Sequence, residues 1–278
     1  MNKGDLYLIA TPIGNLEDIT LRAINTLKQV DIIAAEDTRH SLKLLNHLNI
    51  SKTLISYHRH NEDVKTKELI NLLEEGKSIG LISDAGTPGI SDPGEEIVKE
   101  AIKCGINIIP IPGACAAINA LIASGLSTKE FIFYGFLPLN KKLREEKFID
   151  IERQNKTIII YEAPHRIIST LQEINKRFGN IDIVIAKEIT KIHETFFRGN
   201  IQDVIEKLEN AKGEYIIIFE IKSKTEKEMQ LEKLNKMTIE DQYKHFEKLG
   251  MNKKEIIKKI AKNNNVSKDT IYKQFIKK

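Results

Sequence analysis

The chain contains few cysteines and no long apolar run, and both absences limit what kind of protein it can be. Its 278 residues include two cysteines, Cys104 and Cys115, each in an apolar stretch. Two separate thiols make no disulfide framework, so we expect a reducing cytosol. The first apolar run, Leu6–Ala10, is too short for a secretion signal, and no run approaches the roughly 20 apolar residues of a membrane helix. We therefore predict a cytoplasmic protein without a membrane partner.

Several common site motifs are also missing. The sequence has no G-x-G-x-x-G dinucleotide fingerprint and no G-x-S-x-G nucleophile turn. Its 7 histidines contain no H-x-x-x-H pair, and the two cysteines stand apart. Because a zinc site needs several such ligands close together, we predict that the protein holds no metal.

Short β-rich runs alternate with helical segments from residue 5 to residue 221. In Leu21–Val30 the apolar residues recur at helical spacing, and Thr20 is suited to cap that helix. The alternation favours parallel or mostly parallel sheets flanked by helices. Because the strands are too many for one ordinary sheet, we predict two α/β domains with a boundary near Pro112–Leu126. The predicted strands are Leu6–Ala10, Ile32–Ala35, Leu54–Tyr57, Ile79–Ile82, Ile106–Ile111, Phe131–Phe136, Thr157–Tyr161, Ile181–Ala186, Glu194–Phe197 and Glu214–Glu220.

The segment after Ile221 is basic and carries no strand pattern. From Lys222 to Lys278 there are 16 lysines against 8 acidic residues, whereas the whole chain carries a net charge of +4. This excess fits either a polyanionic partner or a solvated helical surface. A charged linker, Lys222–Asn235, leads to three helical patterns, Ile239–Leu249, Lys253–Asn263 and Lys268–Ile276. We thus predict an α/β domain over 1–113, a second over 114–223, and a basic helical tail over 224–278.

The loop Ser83–Gly94 follows an apolar strand and precedes a helix. Its three glycines allow close approach of the backbone to a ligand, and its two prolines limit its conformations. The loop lacks the lysine of a phosphate-binding loop and carries two aspartates, so it would repel a triphosphate. It suits a ligand with a cationic group or ribose hydroxyls. A tight structural turn explains the same residues equally well.

Other polar segments also fall at predicted strand ends. Glu36 and Asp37 stand beside Arg39 at a strand-to-helix junction, where the arginine could hold a phosphate or pair locally. The turn Thr11–Asn15 ends the first strand, where open α/β sheets bind ligands, although an ordinary turn is the simpler interpretation.

Taken in order along nearly the whole chain, these segments resemble a known family. The matching motifs are Thr11-Pro12-Ile13-Gly14-Asn15-Leu16, Ala35-Glu36-Asp37-Thr38-Arg39, Ser83–Gly94, Pro112-Gly113 with Cys115-Ala116-Ala117, Gly135-Phe136-Leu137-Pro138 and Lys187-Glu188-Ile189-Thr190-Lys191. Together they resemble the bacterial small-subunit rRNA methyltransferase I family, a branch of the tetrapyrrole-methylase superfamily of class III methyltransferases.

The resemblance implies a 2′-O-methylation of a cytidine ribose in the decoding region of 16S rRNA, with S-adenosylmethionine as cofactor. The partner would be the small ribosomal subunit, and a homodimer is expected. The cofactor would lie between two α/β domains. By this carry-over the cofactor-binding residues are Pro12, Asp84, Gly86, Thr87, Pro88, Ile90, Ser91, Ala114, Ala116, Ala117, Phe136, Leu137, Glu162, Ala163, Ala186, Lys187, Gly213 and Glu214.

Transfer to a ribose hydroxyl also requires a group that accepts its proton or stabilises the oxyanion. Our candidates for that group are Asp37, Glu36, Lys187 and Glu188. The RNA would be held by Arg39, Lys253, Lys254 and Lys268. Two other functions stay open, namely methylation of a tetrapyrrole-like small molecule and ribosome binding without catalysis.

Overall fold

The computed structural model describes residues 2–208, 212–221, 234, 237–264 and 266–276. The chain divides into two compact units, Met1–Ile221 and Lys222–Lys278. Among the described residues, no helix is both long enough and apolar enough to cross a membrane.

The first sheet is entirely parallel, as the alternating pattern predicts. Its strands are β1 (Leu6–Ile9), β2 (Ile32–Ala35), β3 (Thr53–Ser56), β4 (Ile79–Ile82) and β5 (Ile108–Ile111), in the order β3-β2-β4-β1-β5. The helices that cover it are α1 (Leu21–Gln29), α2 (Thr38–His47), α3 (Glu62–Glu74) and α4 (Glu95–Lys103). Helices cover both faces, so the strands are apolar at consecutive positions; all four residues of β4 are buried.

The strand order of this sheet decides where its polar loops meet. β4 lies between β2 and β1, so the carboxyl ends of the three strands are adjacent. The turn after β1, the Glu36–Asp37 junction after β2 and the Ser83–Gly94 loop after β4 therefore share one edge. Ligands of open α/β sheets bind at such an edge.

The second sheet is mixed, which differs from the predicted mostly parallel arrangement. Only β6 and β7 run parallel; the other three pairings are antiparallel. The loop 188–194 between β8 and β9 is too short for a helical crossover, so these two strands must turn back on each other. The strands are β6 (Phe131–Phe136), β7 (Thr157–Glu162), β8 (Asp182–Lys187), β9 (Thr195–Asn200) and β10 (Tyr215–Glu220), in the order β6-β7-β10-β8-β9.

The two faces of the second sheet have different coverings. One face packs against α6 (Lys141–Glu152), α7 (Ile167–Phe178) and α8 (Ile201–Lys207), with Ile160 and Ile185 in its core. The other packs against α5 (Ala116–Ser124), with Ile159, Ala186 and Ile13 in a second cluster. Side chains alternate between the faces along each strand. Neighbouring residues at a strand end therefore point into different environments.

The second unit contains three described helices, α9 (Ile239–Lys248), α10 (Lys253–Asn263) and α11 (Lys268–Ile276). The predictions for α10 and α11 are confirmed at both ends, and Ser267 Oγ accepts the Thr270 N–H as a cap should. Phe246 and Ile260 belong to the small core between the helices. Apart from Leu234, the predicted linker lies outside the described residues. The predicted boundary at 113/114 falls between the two sheets, and the independence of those two parts stays a prediction.

Candidate active site

A pocket of about 190 Å³ lies between the edge of the first sheet and the α5-covered face of the second. The first sheet contributes the turn after β1 and the loop after β4, and the second contributes residues of β6, β7, β8 and β10. The lining residues are Ile13, Ala85, Gly86, Thr87, Ile90, Ser91, Asp92, Cys115, Ala116, Phe136, Tyr161, Ala186, Ile189, Glu214 and Ile216.

The loop Ser83–Gly94 is held in place by backbone pairing. Thr11 and Gly86 exchange two hydrogen bonds, with N···O distances of 2.9 and 3.1 Å. Gly86 has a φ of +83°, and a Cβ there would lie 3.1 Å from Cγ2 of Ile13, so a larger residue would be strained. Thr87 Oγ1 donates to the Ala114 carbonyl at 2.9 Å, which joins the loop to the start of α5.

The opposite wall is aromatic. Tyr161 meets Phe136 and Phe133 in edge-to-face contacts, with centroid distances of 5.6 and 4.8 Å. The hydroxyl oxygen of Tyr161 accepts the N–H of Ala117 at 2.9 Å, at the first turn of α5. Burial raises the pKa of Tyr161, so its hydroxyl stays neutral.

The charged side chains that line the pocket are all carboxylates. Asp92 and Glu214 are its charged lining residues, and none of the lining residues is lysine, arginine or histidine. Burial raises the pKa of Asp92, although a hydrogen bond with Ser83 and the charge of Arg59 oppose the rise. Such a lining favours a cationic or neutral ligand over a phosphate.

Two further carboxylates lie beside Asp92. Asp84 Oδ1 accepts the N–H of Asp37 at 3.0 Å, which joins the end of β4 to the end of β2. Burial, together with the charges of Asp92 and Asp84, raises the pKa of Glu36. The guanidinium of Arg59 donates to the carbonyl of Ser91 and supplies a nearby positive charge.

The loop after β8 is tied to the pocket wall through an ion-paired lysine. Lys191 Nζ lies 3.0 Å from carboxylate oxygens of both Glu188 and Glu214. Glu188 Oε1 also accepts the Glu214 N–H at 2.8 Å. Burial alone would raise the Glu188 pKa, but these hydrogen bonds outweigh it and hold the pKa below its usual range.

The structure brings eight of the predicted cofactor-binding residues together around the pocket. These are Gly86, Thr87, Ile90, Ser91, Ala116, Phe136, Ala186 and Glu214. The remaining predicted residues stand near them in the chain but do not line the pocket, namely Pro12, Asp84, Pro88, Ala114, Ala117, Leu137, Glu162, Ala163, Lys187 and Gly213.

Strand alternation explains several of these differences. Tyr161 and Ala186 point to the α5 side, whereas Leu137 packs in the core on the other face of the sheet. Glu162 follows Tyr161, and its carboxylate reaches Arg166 Nε at 3.1 Å and the Thr170 hydroxyl at 2.6 Å, both on the α7 side. Lys187 lies over the ring of Tyr215, a residue of that same core.

The predicted catalytic groups also differ in what they contact. Asp37 caps α2, accepting the N–H of Arg39 at 2.9 Å, and pairs with the Arg39 guanidinium at 3.2 Å. Glu188 is held by Lys191 and Glu214, and Lys187 is on the face away from the pocket. Glu36 is half-buried beside Asp92, and no lysine or arginine is paired with it in a salt bridge among the described residues. The predicted RNA-binding residues Lys253, Lys254 and Lys268 are exposed in the second unit.

Seven lining residues are absent from the predicted cofactor-binding residues, although Ala85 and Cys115 lie within predicted segments: Ile13, Ala85, Asp92, Cys115, Tyr161, Ile189 and Ile216. Most of them adjoin predicted residues, so the alternation of β7 could have identified Tyr161 in place of Glu162. Asp92 needed the folded loop, because a second aspartate in the sequence does not show which one turns inward. Across the described residues, no group of three or more histidine, cysteine or acidic side chains could hold a metal ion.

Residues 5–205 match the tetrapyrrole (corrin/porphyrin) methylases. Ribosomal RNA small subunit methyltransferase I of Halalkalibacterium halodurans is 48% identical over 275 residues, covering 98% of this chain and 94% of that protein. The protein of the same name from Bacillus subtilis is 44% identical over 271 residues, covering 97% and 93%.

Solved structures share the fold at low identity. Uroporphyrin-III-C-methyltransferase from Thermus thermophilus aligns with a TM-score of 0.55 at 20% identity, over 78% of this chain and 94% of that one. A diphthine synthase aligns with a TM-score of 0.63 at 12% identity, over 81% and 93%. At these identities the likeness concerns the fold alone.

Proposed function

The chain belongs to the ribosomal RNA small subunit methyltransferase I family of tetrapyrrole methylases, and we propose that it methylates the 2′-oxygen of a cytidine ribose in the decoding region of 16S rRNA. Its methyl donor is S-adenosylmethionine. The proposal is supported by the similarity to this family over 98% of the chain, together with the lining of the pocket. That lining includes two carboxylates and no lysine, arginine or histidine.

The chemistry of the pocket fits this cofactor. Asp92 and Glu214 supply negative charge for a sulfonium and an ammonium, and Phe136, Tyr161 and Ile216 supply apolar surface for an adenine. When bound, the cofactor provides an electrophilic methyl group on a positively charged sulfur. The chain itself must hold the acceptor in line and accept the hydroxyl proton.

Among the four predicted groups, we propose Glu36 as the proton acceptor. The carboxylates of Asp37 and Glu188 are paired with Arg39 and Lys191, and Lys187 lies on the other face of the sheet. Glu36 stands beside Asp92, which lines the pocket. Its raised pKa makes it a better base than a solvated carboxylate.

The second unit supplies the positive charge that the pocket lacks. Lys254, Lys258 and Lys262 recur every fourth residue on α10 and are exposed. At a rise of about 1.5 Å per residue, their Cα atoms follow one another every ~6 Å along one helix face. We propose that this lysine stripe contacts RNA phosphates, together with Lys253 and Lys268, and that Arg39 contacts a phosphate near the acceptor.

The test uses purified protein, S-adenosylmethionine and small ribosomal subunits from a strain that lacks this gene. We expect methylation of one cytidine, mapped as 2′-O-methyl by resistance of that linkage to alkali. Transfer to a base, or to a tetrapyrrole and not to the subunits, would contradict the proposal. Subunit binding without any transfer would instead support a non-catalytic ribosome-binding role.

A truncated protein ending at residue 224 separates the two units in function. We expect it to keep its affinity for S-adenosylmethionine in calorimetry and to lose affinity for the small subunit. A folded truncation without cofactor affinity would contradict this division of roles.

We also propose a homodimer, which sedimentation equilibrium tests directly, and a reducing compartment, in keeping with the free thiols of Cys104 and Cys115.

A further inference from the structure

A second cleft of about 760 Å³ lies beside the cofactor pocket. The turn Gly14–Leu16 forms one side of it, and the loop after β8 forms the other. Ile13 and Ile189 line the cofactor pocket, whereas the residues that follow them, Gly14 and Thr190, line the cleft. The two cavities therefore share a wall, although the residues that line the cleft do not line the cofactor pocket.

The loop on one side of the cleft has an unfavourable backbone. Glu188 and Thr190 have φ values of +52° and +67°, in the left-handed region that residues with a Cβ rarely adopt. Thr190 is β-branched, which makes this conformation especially rare. The ion pairs of Lys191 and a hydrogen bond from Thr190 N–H to Glu194, at 2.7 Å, hold the loop in this shape. Strain of this kind is concentrated at ligand-binding segments.

Thr190 also carries a buried hydroxyl without a partner. Its Oγ1 lies only 2.8 Å from the position that a Gly14 Cβ would take, so the two segments are in close contact. Among the described residues, Ser41 and His58 have similar unpaired atoms, but neither lines the cleft or the cofactor pocket. Because this oxygen is buried against Gly14, a ligand's polar atom can complete its missing hydrogen bond when the turn Gly14–Leu16 moves aside.

Two exposed apolar side chains line the cleft, beside the polar side chains of Asn15 and His193. Ile192 is 98% exposed and Leu16 is 43% exposed, which is unusual for two apolar side chains that line one cleft. The lysine of the cleft is neutralised by Glu188 and Glu214. A phosphate or a polycarboxylate would therefore find no unpaired lysine or arginine there, whereas a flat neutral heterocycle would find apolar faces and a polar edge.

Given the proposed function, on which this inference rests, we propose that the cleft receives the base of the acceptor nucleotide. Thr190 Oγ1 hydrogen-bonds the polar edge of the base, and Ile192 and Leu16 cover its faces. Sequence-specific RNA proteins take up single bases in this manner, and an enzyme acting on one nucleotide must separate it from its neighbours. The shared wall then brings the attached ribose to the cofactor pocket.

Thr190→Val and Ile192→Ala test this assignment. Valine keeps the β-branched shape and the backbone strain while removing the hydroxyl. Ile102→Ala on α4 is a matched control, because Ile102 is 65% exposed and lines neither cavity. We expect each cleft variant to lower kcat/KM for small ribosomal subunits about tenfold, the size of one lost hydrogen bond or apolar contact. The affinity for S-adenosylmethionine in calorimetry should stay within about twofold of the parent value.

Three outcomes are distinct. Parent-like kcat/KM in both cleft variants overturns the base site and leaves the methyltransferase function intact. A loss of cofactor affinity equal to the loss of kcat/KM also overturns it, because the loop would then serve the cofactor pocket. If the parent protein transfers no methyl group to the subunits, the proposed function fails and this assignment fails with it.

Discussion

Replacing Arg166 with methionine would leave the buried carboxylate of Glu162 without its cation. The Glu162 side chain is 0% exposed, and Arg166 Nε lies 3.1 Å from its Oε1. The same oxygen accepts the Ala163 N–H at 2.9 Å, and the other accepts the Thr170 hydroxyl at 2.6 Å. Arg166 Nη2 also donates to the Leu137 carbonyl at 2.9 Å, next to the pocket residue Phe136.

The size of the effect follows from what remains after the change. Breaking a buried ion pair by removing one partner costs about 3–5 kcal/mol. Two hydrogen bonds to Glu162 persist, which favours the lower end, and loss of the Leu137 contact adds about 1 kcal/mol. We therefore expect Arg166→Met to lower the free energy of unfolding by about 3–4 kcal/mol. Adding Glu162→Gln should restore about 2 kcal/mol, because an amide needs no counter-ion.

Urea unfolding at pH 7, followed by far-ultraviolet circular dichroism and tyrosine fluorescence, measures these differences; the chain contains no tryptophan. Arg39→Met is the matched control, because Arg39 pairs with Asp37 at a similar 3.2 Å but is 90% exposed. Its unfolding midpoint should stay close to that of the parent. If Arg166→Met unfolds like Arg39→Met, or if the double variant is no more stable than Arg166→Met alone, the buried pair does not contribute this free energy.

Three other substitutions test separate parts of the structure. The pKa of Glu36 is raised in the folded protein, so the folded state loses stability as the pH rises through that pKa and the carboxyl ionises. Glu36→Gln removes this ionisation and should raise the urea midpoint at pH 7 but not at pH 4. The same variant should transfer methyl groups more slowly. A lower midpoint at pH 7 would contradict this sign. Tyr161→Phe leaves the Ala117 N–H without its acceptor and should cost about 1–3 kcal/mol in thermal unfolding, with weaker cofactor binding; an unchanged Tm argues against that bond. Ile260→Ala leaves a cavity at a fully buried position and should lower the free energy of unfolding of the second unit by about 2–5 kcal/mol. Helical circular dichroism should then be lost at a lower urea concentration, whereas parent-like unfolding would show that this core adds little.

Local patterns were enough to locate most of the helices and strands. The runs Ile32–Ala35, Ile79–Ile82 and Phe131–Phe136 form strands at the predicted bounds, because each is a short apolar run between polar segments. Strand direction in the second sheet was not predictable in the same way. It depends on which strands become neighbours, and β10, last in the chain, is inserted between β7 and β8.

The candidate site shows the same division between local and long-range information. The loop Ser83–Gly94 was predictable as a ligand loop from its glycines and aspartates, and four of its predicted residues line the pocket. Two neighbouring residues of a strand point to opposite faces of the sheet, and the sequence alone did not show which of the two faces the pocket. The resemblance implies that Glu162 binds the cofactor, yet Tyr161 faces the pocket while Glu162 is paired with Arg166 on the other side.

Under the proposed function, the distribution of charge gives the two units different roles. Around the pocket the cations are engaged: Arg59 donates to a loop carbonyl, Lys191 sits between two carboxylates, and Arg166 neutralises Glu162. The lining itself is acidic, which suits a sulfonium cofactor but opposes the approach of an RNA backbone. Affinity for RNA must then come from elsewhere on the chain, and the segment with 16 lysines against 8 acidic residues is suited to provide it. Under the proposed function, one part of the molecule can hold the phosphates while the acidic pocket and its neighbouring cleft handle a single nucleotide.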